Sequence, residues 1–249
     1  MDIVAIGSWL GIIAALGTIV GWFASSKFRA VIKHAFHIPN AISLGLKMAN
    51  KGVCNFYSCR NELNRTRGSE LFESIKGAKE SIGIVAISLQ QSIAHQNFHK
   101  ALKELMLKNP QLTVSISLVS PSSPLIEHLA DASGRDPSDL RSAIRNSIAR
   151  LQEVQAIVNT PAQERLAVQT CAFHYFSTLV AVDVPVDPKL RPSKNAFFLI
   201  EHSLYDISFS ERYTFELGRP GSYMFEKALK SYRAIMSLET IADDDAPAV

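Results

Sequence analysis

The residues best suited to chemistry lie in the last third of the chain. His174 precedes an apolar run from Phe176 to Val182 that ends in the carboxylate of Asp183. His202 follows another apolar run and stands beside Glu201. An imidazole near a carboxylate can serve as nucleophile or as general acid and base. His174, His202 and Glu201 are therefore a candidate catalytic set. The plainer reading of a lone histidine near a strand end is a hydrogen-bonded structural or surface residue. Cys54, Cys59 and Cys171 show no metal-ligand spacing. They read as free thiols of a reducing compartment, with a Cys54–Cys59 clip as the alternative. Neither a metal nor a cofactor is implied.

The elements that must position these groups follow from periodicity. Ser81–Leu89 and Leu112–Val119 are short, continuous apolar runs bounded by polar residues, which suits strands buried on both faces. A helix at Phe98–Lys108 separates them, giving a βαβ crossover between parallel neighbours. Ser138 can cap a helix running to about Ala156. Leu166–Phe173 and Phe176–Val184 read as two strands, either a hairpin or one bent strand. Pro185, Pro188 and Pro192 mark a loop. Ala196–Ile200 is a further strand, Arg212–Leu217 a short edge strand, and Phe225–Leu238 a closing helix. In open α/β sheets, ligands bind beyond the carboxyl ends of the strands. Arg60, Ser88, Gln90, Ser120, Asp183, Arg212 and Arg219 are the candidate ligand-binding residues, the arginines suiting bidentate recognition of phosphate or carboxylate.

The first residues carry a different signal. Ile3–Ser26 contains no charged residue. About 24 residues as a helix reach about 36 Å, against a hydrocarbon core of about 30 Å. Residues 1–26 are expected to form a transmembrane helix, with the lipid bilayer as partner. Lys27, Arg29 and Lys33 follow directly and predict a cytoplasmic side. The expectation is an inner-membrane, single-pass protein with its N-terminus out and its C-terminal domain cytoplasmic. Gly7, Gly11, Gly17 and Gly21 fall on one helix face and predict homo-oligomerisation there. Residues 27–54 read as a basic, amphipathic juxtamembrane linker, and 241–249 as an acidic, disordered tail. With a formal charge of +3 over 249 residues, charge alone gives no case for nucleic-acid binding.

Residues 55–240 resemble one unit of the phospholipase D superfamily. Ile75-Lys76-Gly77-Ala78-Lys79-Glu80-Ser81-Ile82 is similar to the entry into that family's first core strand, Val114–Ser120 to its second, and Phe225–Leu229 to its closing helix. The family's catalytic strand carries His-x-Lys, four mostly apolar residues, and Asp. Here Phe176, Thr178 and Asp183 stand at those three positions. The resemblance implies a single α/β/α sandwich unit, preceded by the transmembrane helix. It also implies lost chemistry. Phenylalanine cannot attack phosphorus, threonine supplies no cation, and Asp183 alone would repel a phosphodiester.

The function expected is thus a membrane-tethered, catalytically degenerate phospholipase D-like domain. It would act as a sensor or effector for an unidentified ligand or protein partner. A bacterial stress or phage-defence setting fits by analogy of layout. The alternative is a membrane-bound phosphodiesterase, a phospholipase or nuclease, working through a non-standard histidine.

Overall fold

The computed structural model describes residues 45–58, 62, 75–89, 98–132, 134–172, 177–202 and 213–238. Contacts divide the chain into Met1–Ala49 and Asn50–Val249, and the second unit is described here.

Seven strands form one mixed sheet: β1 (Val53–Tyr57), β2 (Ser81–Ala86), β3 (Thr113–Val119), β4 (Leu166–Cys171), β5 (Ser177–Val182), β6 (Phe197–His202) and β7 (Tyr213–Leu217). Their order across the sheet is β1-β7-β6-β5-β2-β3-β4. β2, β3 and β4 are parallel. From β2 across to β1 every neighbouring pair is antiparallel. The helices are α1 (Phe98–Lys108), α2 (Ile126–Ala132), α3 (Pro137–Val158) and α4 (Tyr223–Met236).

Alternation along the strands divides the core in two, since successive side chains point to opposite faces. On one face Ile82, Ile84, Val114, Ile116, Val180 and Val182 pack against Leu102 and Met106 of α1 and Leu151, Val154 and Val158 of α3. On the other, Val85, Leu179, Ala181 and Phe198 pack against Phe225, Leu229 and Tyr232 of α4. Helices therefore cover both faces. Val119, Ile126, Leu140 and Ile144 form a smaller cluster beyond the end of β3.

Polar side chains tie helix ends to strand starts. Asp136 accepts from the Ser138 N–H at 2.7 Å and hydroxyl at 2.6 Å, capping α3 ahead of Pro137. These bonds hold the Asp136 carboxyl below its ordinary range. Asn159, just past α3, accepts from the N–H groups of Arg165 and Leu166 at the entry to β4. Arg165 donates to the carbonyls of Met106 and Asn109, both at 2.6 Å, and so closes the end of α1.

Several sequence expectations change. Among the described residues no helix is long and apolar enough to cross a membrane. The fold is therefore corrected to what the described residues form, a mixed α/β domain, with no transmembrane helix among them. The predicted span at 1–26, its Gly7, Gly11, Gly17 and Gly21 face, and the tail at 241–249 lie outside the described residues. β4 and β5 make neither a hairpin nor one bent strand, because β3 and β2 lie between them. β7 is an interior strand, and the edge position belongs to β1, which begins within the predicted linker and pairs with β7. The βαβ crossover stands as expected: β2 and β3 are parallel neighbours joined through α1.

Gly83 is where the sheet and α4 come closest. A Cβ there would overlap the phenol ring of Tyr232, which is fully buried and sits edge-on to Phe198 at 5.8 Å. Burial pushes the Tyr232 phenol well above its ordinary value, so it stays neutral. Overpacking a filled core costs about 1–3 kcal/mol, so Gly83→Ala should lower the urea midpoint accordingly. Combining it with Tyr232→Phe should lose less than the two single losses summed, because removing the hydroxyl relieves part of the overlap. Strictly additive losses would refute this contact as the cause.

Candidate functional site

Strand direction decides which candidates can meet. β2, β3 and β4 run the same way, so their carboxyl ends lie at one end of the sheet. β5 runs against β2 and brings its amino end there. β6 runs back again, which places Glu201 directly across from Thr178. Thr214 of β7 stands across from Glu201, and Tyr57 of β1 across from Thr214. Residues directly opposite in a sheet share a face. Tyr57, Thr214, Glu201 and Thr178 therefore form a row across four strands, on the face that carries α1 and α3.

This row is buried, at 4% exposure for Tyr57, 1% for Thr214, 5% for Glu201 and 6% for Thr178. Four adjacent polar side chains at such depth are unusual for a sheet face, since buried polar groups cost free energy unless satisfied. Glu216, two residues along β7, is also buried. It accepts from Asn55 Nδ2 at 2.6 Å and from the Tyr57 hydroxyl at 3.3 Å. The Thr214 hydroxyl has no hydrogen-bond partner among the described residues.

Two further candidates sit at the same end. Ser88, just past β2, is buried. Ser120, just past β3, is fully buried; its hydroxyl lies 2.8 Å from that of Ser122, and its N–H donates to the Cys171 carbonyl at 2.8 Å. His202 pairs in the backbone with Ser177 and Tyr213 at this end. Its side chain, and His174, Phe176, Arg60, Gln90 and Arg212, lie outside the described residues.

Asp183 and Arg219 are elsewhere. Five residue steps of strand, about 17 Å, separate Thr178 from Asp183. Asp183 thus falls at the opposite end of the sheet, beside the start of β2, where its N–H donates to the Ser81 carbonyl at 2.7 Å. Its Oδ1 accepts from the N–H groups of Lys79 at 2.9 Å, Glu80 at 2.8 Å and Ser81 at 3.3 Å. Its φ of 55° lies in the left-handed region, which Asp tolerates better than most residues. Arg219, also left-handed at φ 59°, follows β7 at that same end. The structure thus gathers Ser88, Ser120 and Glu201 and separates them from Asp183 and Arg219.

Tyr57 and Asn55 were missed from the sequence, because Val53–Tyr57 did not read as a strand. A register irregularity between Val53 and Asn55 breaks the alternation that would have marked this strand. Chemically the row offers hydroxyls, a phenol and carboxylates. That set holds a ligand by hydrogen bonds, and it places negative charge where a phosphodiester would need positive. Among the described residues no group of three or more His, Cys, Asp or Glu is arranged to hold a metal. The chain matches no known protein-family model, and no curated protein matches its sequence.

The Asp183 contacts yield a stability test. Asp183→Ala strands three backbone donors and puts alanine at positive φ, which should cost about 2–3 kcal/mol. Asp183→Asn keeps an acceptor oxygen and a tolerance for that φ, and should cost clearly less. Equal losses in urea denaturation would show that the carboxylate is not what holds these amides.

Proposed function

We propose that residues 55–240 are a catalytically degenerate phospholipase D-like domain that binds a ligand or protein partner without cleaving it, as the sensing or effector part of a larger system. The observation that carries this reading is the pairing of Thr178 with Glu201. The family's phosphate-neutralising lysine is expected at the Thr178 position. A buried threonine there, directly across from a buried carboxylate, removes the cation and adds an opposing charge. The nucleophile position is filled by Phe176, which has no lone pair to attack phosphorus.

The order of elements supports the same reading. A strand enters after Lys79 and Glu80, a second parallel strand follows through α1, the degenerate motif ends on a central strand, and α4 closes the domain. Those are the stretches on which the resemblance rests. Hydroxyls from Thr178, Thr214, Ser88 and Ser120, and the carboxylate of Glu201, lie at the end of the sheet where α/β domains commonly take ligands. A ligand with several hydrogen-bond donors fits this set better than a polyanion does.

The test is direct. The purified full chain is incubated with bis-p-nitrophenyl phosphate, phospholipid vesicles and single-stranded DNA. No turnover above the buffer blank is expected with any of them. Hydrolysis that disappears in His174→Ala or His202→Ala would overturn the binding reading in favour of a phosphodiesterase with a displaced histidine.

A further inference from the structure

We propose that the cavity at the Asp183 end of the sheet is a second binding site, specific for a small organic anion: a carboxylate or phosphate carried on a compact apolar body. The cavity encloses about 350 Å³, within the range of about 300–1,000 Å³ typical of small-molecule sites. It lies at the far end of β5 from Thr178 and Glu201, so it is independent of the function proposed above.

Its apolar side is built by strand pairing. Val182 of β5 and Phe197 of β6 are direct register partners, and both line the cavity. Residues so paired share a face, so an isopropyl group and an aromatic ring stand side by side as a wall for the ligand's apolar body. The polar side comes from two loops. Lys79 precedes β2 and Lys194 precedes β6, and both line the cavity with exposed side chains. Among the described residues neither lysine makes an ion pair. The Ser193 hydroxyl is buried, lines the same space and has no hydrogen-bond partner among the described residues.

Two carboxylates also line the cavity, Asp183 and Glu80, and they have to be weighed. Asp183 accepts three backbone N–H bonds at Oδ1. Those bonds turn Oδ1 toward the backbone amides. Glu80 is exposed and solvated. Of the charged groups on exposed side chains here, two ammonium groups stand against the one Glu80 carboxylate. A cationic ligand would meet both ammonium groups, while an anion meets both as partners.

The walls are held in place before any ligand arrives. Asp183 fixes the loop carrying Lys79, and its carbonyl accepts from the Ser193 N–H at 3.2 Å. Arg233 of α4 donates to the carbonyls of Pro185, Asp187 and Leu190 and so pins the loop that leads to Ser193. A site built this way loses little freedom on binding.

The experiment is calorimetric titration of the full chain with phenyl phosphate, benzoate, inorganic phosphate and benzylamine. At least one aromatic anion should bind, inorganic phosphate should bind more weakly for want of the Phe197 contact, and benzylamine should not bind. A preference for phenyl phosphate over benzoate assigns the group as phosphate, and the reverse assigns it as carboxylate. The double variant Lys79→Ala with Lys194→Ala should bind about tenfold more weakly or worse, with the melting temperature of the unliganded protein unchanged, since both side chains are exposed. A matched pair of charge losses on α4, Lys227→Ala with Lys230→Ala, should leave affinity as it was. Equal affinity in the Lys79/Lys194 variant and the parent, binding of benzylamine, or no binding of either aromatic anion would overturn the proposal.

Discussion

One carboxylate holds the two halves of this sheet in register. Asp183 gathers three backbone N–H groups at the entry to β2, continues the ladder through its own N–H to Ser81, and offers its carbonyl to Ser193. It stands at the seam where the parallel strands β2, β3 and β4 meet the antiparallel set β5, β6, β7 and β1. Antiparallel pairs with one buried face are sensitive to register, because a slip of one residue turns every side chain to the other face. Here both faces are packed, so a slip would exchange the α1/α3 core with the α4 core. Val180 and Val182 belong to the first, and Leu179 and Ala181 to the second.

The seam also explains what sequence could and could not reveal. The parallel half was readable, since continuous apolar runs at β2 and β3 with an amphipathic helix between them admit few arrangements. The antiparallel half was not. The direction of β5 is set by its partner, not by its own residues. Reading it as though its carboxyl end joined those of β2 and β3 put Asp183 on the wrong side of the sheet from Ser88 and Ser120. β4 and β5 were misread as neighbours because they are close in sequence, although two strands separate them. β1 escaped notice because Cys54, Asn55 and Phe56 are all exposed at an edge, which removes the alternation that marks a half-buried strand.

The candidate site was legible only in part, and for the same reason. Glu201 stood out beside a histidine, and Ser88 and Ser120 stood out as polar residues ending apolar runs. Thr214 and Tyr57 carry no such mark. Their importance comes from lying across from Glu201 in register, a relation between strands far apart in the chain. Reading the site from the strands upward turns a missing lysine into something more informative: a buried polar row with a carboxylate, Glu201, within it.

The pairing of β1 with β7 carries a cost in time. Val53 meets Leu217 and Tyr57 meets Thr214, and among the described residues β7 is the one strand partner of β1. During synthesis β1 is among the earliest parts of this domain to emerge, yet its neighbour is among the last. Contacts between such distant segments pay the loop-closure entropy before they return any stability, and they slow folding. Until the ribosome has released nearly the whole domain, β1 leaves Phe56 and an open hydrogen-bonding edge uncovered or held by a chaperone. The edge that completes the sheet is thus the segment that must be sheltered longest.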